Sequence, residues 1–211
     1  MSNSSKPTID EMLAISTCEY AEGLPRQQFV NPEIHALWQS IPRIVGRAFT
    51  VKCGEDDHLS LHAAIYRAKA GDVLVVEADS NFASAGGNVC AVAQQRGIVA
   101  MVIDGMVRDI GEIRDNQFPV YAKGIIPKPA AKKQLYPFNQ PIECGGVTVH
   151  SGDYIVADED GIAVIPKDKL NEVYNLAKAR TDKDAAMDLD DWRAQHSKKI
   201  ESKLQELGYS D

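Results

Sequence analysis

Residues 87–112, GNVCAVAQQRGIVAMVIDGMVRDIGE, decide the fold. The stretch follows Gly86, keeps apolar residues at helical spacing and halts at Gly97, which predicts a glycine-opened helix. IVAMVIDG then runs apolar without interruption, which predicts a buried strand ending at Asp104-Gly105. Beyond it an Arg and an Asp stand side by side, Arg108-Asp109, with Glu112 three residues on. The alternation continues upstream. DVLVVEAD (72–79) reads as a buried strand. DDHLSLHAAIYRAKAGD (56–72) reads as a helix with an acidic start and a stop at Gly71. RIVGRAFTVKC (43–53) and FPVYAKGI (118–125) read as further strands.

Working outward, residues 1–8 are polar and read as disordered. Met12, Leu13 and Ile15 predict a helix from Ile9, and residues 17–24 a second short one. Residues 127–141 are loop-rich. GVTVHSGDYIVADEDGIAVIP (146–166) alternates between Ser-Gly-Asp and Glu-Asp-Gly turns, as a hairpin or meander does. From Lys167 the chain reads as helical, through Val173, Leu176 and Ala177. Asp190 is expected to cap a last helix that carries Trp192, Ile200 and Leu204. Strand–helix units followed by a meander predict one α/β domain with a mixed sheet over residues 9–166. Residues 167–211 are expected to form a helical arm that contacts a neighbouring subunit.

The bulk composition fits a soluble globular protein. The chain has 211 residues, 44% of them hydrophobic and 25% charged, enough to bury a core. Its net charge of −7 argues against a nucleic-acid partner, which would call for a basic stripe. No apolar run reaches membrane-spanning length, and no secretory signal is seen at the start. Cys18, Cys53, Cys90 and Cys144 match no common zinc spacing and suit a reducing compartment, so the expected location is the cytoplasm.

The chemistry concentrates around the opening stretch. A helix start has backbone N–H groups without internal partners, and they favour an anion such as a carboxylate. GGNVCA lacks the third glycine of a dinucleotide fingerprint. Ligands of parallel α/β sheets gather at the carboxyl ends of strands, so Gly87 and Arg108 are expected on one rim. An arginine can fork onto a carboxylate, and an aspartate can hold a divalent cation that keeps several waters. Glu112 would share a helix face with Asp109. The alternative use of the same residues is a plain ion pair that caps a helix. His58 and His62 lie four apart but lack a third ligand, and they read as an ordinary helix surface. The lysines of PKPAAKKQ (127–134) read as a solvated loop, with a lid over an anionic substrate as the sharper alternative.

One glycine, twenty intervening residues, Arg-Asp, two residues and Glu is a spacing that resembles the RraA-like family. LHAAIYRAKAGDVLVVEAD, QQRGIVAMVIDGMVRDIGEI, FPVYAKG and VHSGDYIVADEDGIAVIP are similar to family segments in family order, over about residues 9–185. The family contains divalent-metal-dependent 4-hydroxy-4-methyl-2-oxoglutarate and 4-carboxy-4-hydroxy-2-oxoadipate aldolases. It also contains regulators of ribonuclease E activity.

The resemblance implies a β/β/α swivelling-type domain, assembled as a homotrimer or hexamer. It implies that the amides of Gly86, Gly87, Asn88 and Val89 hold a small anionic α-keto acid. Arg108 would bind the same group and stabilise an enolate. Asp109 would be the direct ligand of Mg²⁺ or Mn²⁺, and Glu112 would support its water shell. A neighbouring chain would add a carboxylate, for which Asp184 or Asp182 is the candidate, and Glu22 stands where the family often has Asp. The implied activity is pyruvate-forming aldol cleavage with oxaloacetate decarboxylation, needing no Schiff-base lysine. The alternatives are a protein-binding regulator of ribonuclease E and a lyase for another α-keto or sugar acid. The tail after Pro166 is a feature of the aldolases rather than the regulators. Asn88 departs from the acidic or bulky apolar residues common there, which bears on the distal end of the substrate.

Overall fold

The computed structural model describes residues 6–209. Its elements run α1 (Ile9–Leu13), 3₁₀ turns at Thr17–Glu22 and Arg26–Gln28, β1 (His35–Ala36), β2 (Ile44–Lys52), α2 (Leu59–Ala64), β3 (Asp72–Glu77), β4 (Ala83–Ala85), α3 (Gly87–Gln95), β5 (Ala100–Val107) and α4 (Ile110–Asp115). Then follow β6 (Val120–Ile125), β7 (Ile142–Cys144), β8 (Val147–Val149), β9 (Tyr154–Asp158), β10 (Gly161–Ile165), α5 (Leu170–Ala185) and α6 (Leu189–Glu206).

The main sheet has the order β1-β6-β5-β3-β2-β9-β10, with β4 added beside β5. β2, β3, β5 and β6 run parallel, whereas β1, β9 and β10 pair antiparallel. β1 also lies against β10, so the sheet curls until it is nearly closed.

Alternation along β3 shows why the sheet is sandwiched. Leu74 and Val76 face α2, α3 and α4 in one apolar cluster, while Val73 and Val75 face the β7–β8 hairpin in another. A strand covered on both faces is apolar throughout. Fully burying each such side chain stabilises by about 1.5–3 kcal/mol. Hairpin, sheet and helices are the three layers of a mixed β/β/α domain, as expected. Met12, Ile15 and Tyr20 form a third cluster with Leu170, Val173 and Ala177 of α5. α6 contributes no buried residue, and its Leu189 and Trp192 are exposed.

Several local expectations change. Residues 1–5, part of the stretch read as disordered, lie outside the described residues. Thr8 is ordered: its hydroxyl accepts from Glu11 N at 3.2 Å while Glu11 Oε2 accepts from Thr8 N at 2.7 Å, a closed capping box. The helix expected to reach Gly71 ends at Ala64, because Arg96 draws off the carbonyls of Ile65 (2.6 Å) and Tyr66 (3.1 Å). β5 does not stop at Asp104-Gly105. An irregularity there is tied down by Gly145 N donating to Asp104 Oδ2 at 2.7 Å, and the strand continues to Val107 between β4 and β6. The last helix is capped by Asp188, which accepts from Asp191 N at 2.8 Å, and not by Asp190.

Cys53, Cys90 and Cys144 are buried and Cys18 is exposed, all as free thiols. Among the described residues no helix is long and apolar enough to cross a membrane.

Candidate active site

β4 and β5 are parallel neighbours, with Ala83 opposite Met106 and Ala85 opposite Val107. They end together. The chain leaving β4 enters α3 through Gly86-Gly87, and the chain leaving β5 enters α4 through Arg108-Asp109. Arg108 N donates to Ala85 O at 3.0 Å, which locks the two exits side by side. The common rim expected for Gly87 and Arg108 is therefore present.

Asp109 has an unusual posture. It sits at the N-cap of α4 with φ 58° and ψ 41°, in the left-handed region, and its side chain makes no capping hydrogen bond. An N-cap aspartate ordinarily accepts from the first turn of its own helix. Here the carboxylate reaches across to α3, where Oδ2 accepts from Gly87 N at 3.2 Å and lies 3.3 Å from Arg108 Nε. The carboxylate does not cap its own helix; it pairs with Arg108 and accepts from the first residue of α3. Its side chain is 38% exposed, so the pair with Arg108 is solvent-screened.

Gly86 and Gly87 are required for space. Neither has a left-handed φ. A Cβ at Gly86 would overlap Asp109 Oδ2 and lie 3.1 Å from Arg108 Cγ. A Cβ at Gly87 would overlap Glu112 Oε2 and lie 2.8 Å from the Cβ and Cδ of Glu112. Both acidic side chains of the motif thus lie on glycine backbone at the start of α3. Asn88 is exposed and Val89 half-buried on the first turn.

A cleft of about 50 Å³ opens here, lined by Gly86, Asn88, Arg108, Asp109, His58 and His62. Sequence reasoning misses the two histidines as site residues. His58 is buried rather than on a helix surface. The rings stack with centroids 4.0 Å apart and planes 22° apart. His58 Nδ1 lies 3.4 Å from Ala83 O. Burial pushes His62 down to about 4, and the neighbouring His58, Lys132 and Arg108 push the same way. Burial also lowers His58, helped by Lys132 and Arg108 against its bonds to Ala83 and the charge of Asp57.

The PKPAAKKQ loop is strapped down beside the histidines. His58 N donates to Ala131 O at 2.9 Å and Ala131 N to Asp56 O at 2.8 Å. The buried Asp57 carboxylate accepts from the amides of Leu59, Lys133 and Gln134. Burial alone would raise the Asp57 pKa, but those amides hold it below the usual carboxylate range.

The remaining candidates lie elsewhere in this chain. Asp184 Oδ2 accepts from Arg180 Nε at 2.7 Å, and Glu22 stands 3.8 Å from the same guanidinium. Asp182 pairs with Lys178 at 2.7 Å. None of the three lines the cleft. A larger hollow of about 300 Å³, with Arg47 and Asp72 3.6 Å apart, lies at the opposite rim, by the start of β3.

Among the described residues no group of three or more His, Cys, Asp or Glu forms a protein cage for a metal. One half-exposed carboxylate with a second acidic side chain nearby suits a hard cation that retains its water, as Mg²⁺ does.

The family profile described as RraA-like, Aldolase/RraA, matches residues 17–164. A 4-hydroxy-4-methyl-2-oxoglutarate aldolase of Thermus thermophilus is 32% identical over 127 residues, 59% of this chain and 77% of that one. A Halalkalibacterium halodurans protein provisionally given the same name is 38% identical over 146 residues, 68% of this chain and 70% of that one. Streptomyces coelicolor RraAS2, described as an unusual member of the RNase ES inhibitor RraA family, has a similar fold. Its TM-score is 0.75 at 24% identity, over 88% of this chain and all of that one.

Proposed function

The chain belongs to the RraA-like, Aldolase/RraA family, and from that premise we propose that it is a divalent-metal-dependent class II pyruvate aldolase. Its substrate is a 4-hydroxy-2-oxo acid of the 4-hydroxy-4-methyl-2-oxoglutarate type, and it also decarboxylates oxaloacetate. The observation that carries the reading is the Asp109 carboxylate, turned away from its own helix toward the start of α3.

Each residue then has a task. The amides at Gly86, Asn88 and Val89, around the start of α3, receive the substrate carboxylate, while the Gly87 amide holds Asp109 beside it. Arg108 forks onto the same end and offsets the negative charge that grows on the 2-oxygen as the C3–C4 bond breaks. Asp109 is the direct ligand and Glu112 orients water around the ion. When bound, Mg²⁺ or Mn²⁺ supplies Lewis-acid polarisation of the 2-keto oxygen.

A site for a whole small molecule ordinarily measures about 300–1,000 Å³, far more than this cleft of about 50 Å³. The shortfall supports a homotrimer or hexamer in which another chain completes the wall. In this reading residues 9–166 are the catalytic domain and residues 167–211 an arm toward the neighbour. The exposed apolar side chains of α6 face that contact, and Asp184 enters the neighbouring site. Free thiols suit the cytoplasm.

Pyruvate release from oxaloacetate and from 4-hydroxy-4-methyl-2-oxoglutarate, coupled to lactate dehydrogenase, tests the proposal. Release with Mg²⁺ that stops with EDTA is expected for both. Absence of release from either would move the assignment to a protein-binding regulator.

A further inference from the structure

The stacked histidines are not used by the reading above. His58 is buried and His62 half-buried, and both line the same cleft as Arg108 and Asp109. His58 is held at Ala83 of β4 through Nδ1, and the His62 ring is held by stacking on His58. A neutral imidazole that donates through one nitrogen keeps a lone pair on the other. Burial and the nearby cations favour that neutral form in both rings. The pair therefore brings two neutral imidazoles to a cleft whose charged groups are Arg108 and Asp109. As whole residues His62 is the less buried of the two, and its ring lies face to face with that of His58.

Aldol cleavage needs such an acceptor and decarboxylation does not. A 4-hydroxy-2-oxo acid must lose its hydroxyl proton as C4 becomes a carbonyl. Oxaloacetate has no hydroxyl at C4, and its carboxylate leaves as CO₂.

Resting on the aldolase reading, we propose that His62 is the general base that takes the C4 hydroxyl proton, with His58 as the positioning residue that fixes its ring. The proton passes from the C4 oxygen to the His62 ring. The oxygen's electron pair forms the C4 carbonyl, the C3–C4 bond breaks, and its pair moves into the C2–C3 enolate. C3 then takes a proton from water to give pyruvate, and His62 returns its proton to solvent. No oxidant or reductant enters. A substrate dianion beside Arg108 and Lys132 offsets the cations that disfavour imidazolium, so the ring becomes a better base when the site is filled.

The test compares both reactions in the Mg²⁺-loaded full chain, for wild type, His62→Gln and His62→Asn. Either amide removes the titratable ring while keeping a polar side chain in its place. General-base loss typically lowers kcat about 10²–10⁴-fold. That loss is expected for 4-hydroxy-4-methyl-2-oxoglutarate cleavage, with KM little changed. Oxaloacetate decarboxylation and deuterium exchange into the pyruvate methyl should stay near wild type in at least one variant, which also reports that the site is folded. Cleavage at wild-type rate would overturn the inference, as would equal loss of all three readouts in both variants, which marks a structural role. A wild-type protein inactive on both substrates would instead bring down the aldolase reading, and this inference with it.

Discussion

Replacing Asp109 separates the strain of its backbone from the chemistry of its carboxylate. An ordinary L-residue in the left-handed region costs about 1–2 kcal/mol, and Asp and Asn tolerate it best. The Asp109 carboxylate also accepts from Gly87 N at 3.2 Å, a bond worth about 0.5–1.5 kcal/mol. The ion pair with Arg108 adds little, because both side chains are more than a third exposed. Asp109→Ala loses the bond and carries the strain, so it should destabilise by about 1–2 kcal/mol. In a chain of this size that lowers Tm by about 2–8 °C. Asp109→Asn keeps the backbone tolerance and an acceptor oxygen, so it should stay within about 0.5 kcal/mol of wild type. Asp109→Gly relieves the strain but loses the bond and frees the unfolded chain, and should fall between the two. All three should turn over below about 1% of wild type, since none offers the ion a charged ligand. Thermal unfolding and the coupled pyruvate assay read the two axes separately. An alanine variant as stable as the asparagine one would refute the strain argument. Turnover in Asp109→Asn near wild type would refute the metal assignment.

Other perturbations probe the surroundings. Arg108→Lys should abolish turnover, because lysine lacks the planar fork; wild-type kinetics would remove Arg108 from the site. Gly87→Ala must displace Glu112 at its Cβ and not only at its tip, so it should cost about 1–3 kcal/mol and most of the activity, measured by urea unfolding and turnover. His62 titrates at about 4 in the folded chain, against 6.5 ordinarily. The unfolded chain therefore binds the extra proton first, and stability present above pH 6.5 should be lost as pH falls toward 4. His62→Gln should flatten that part of the stability–pH curve, and an unchanged curve would contradict the burial argument. Trp192→Asp in α6 should leave the Tm of the domain nearly unchanged while shifting sedimentation toward smaller species; unaltered assembly would remove α6 from the subunit contact.

What can be read from sequence follows from how the site is wired. Gly86 to Glu112 form one continuous stretch, so two helix starts and the strand between them are visible in a single window. β3 and β5 announce themselves because burial on both faces leaves an unbroken apolar run in each, residues 73–76 and 100–103. The two-residue β1 and three-residue β4 carry no period of their own; they exist because β6 and β5 offer partners. β4 matters most among these, since His58 rests on its backbone at Ala83 and it leads into Gly86-Gly87. His58 and His62 read as a solvated helix face only while α2 is given too many residues. The helix ends at Ala64, and the strap held by Asp57 covers its start. No local signal marks that closure. The one available clue is Asp57 itself, an acidic residue ahead of an apolar run.

Cys18 gives the protein a built-in handle. Cys53, Cys90 and Cys144 are shut in the core, so a maleimide dye or spin label offered to the folded chain reaches one thiol alone. That thiol lines the hollow where Glu22, Arg180 and Asp184 meet, the patch assigned here to a neighbouring subunit's site. Burial, with Asp160 beside it, raises its pKa, so conjugation calls for mildly alkaline buffer. A probe attached there, with no residue altered, would sense whether a second chain covers the patch, and dilution would show how tightly.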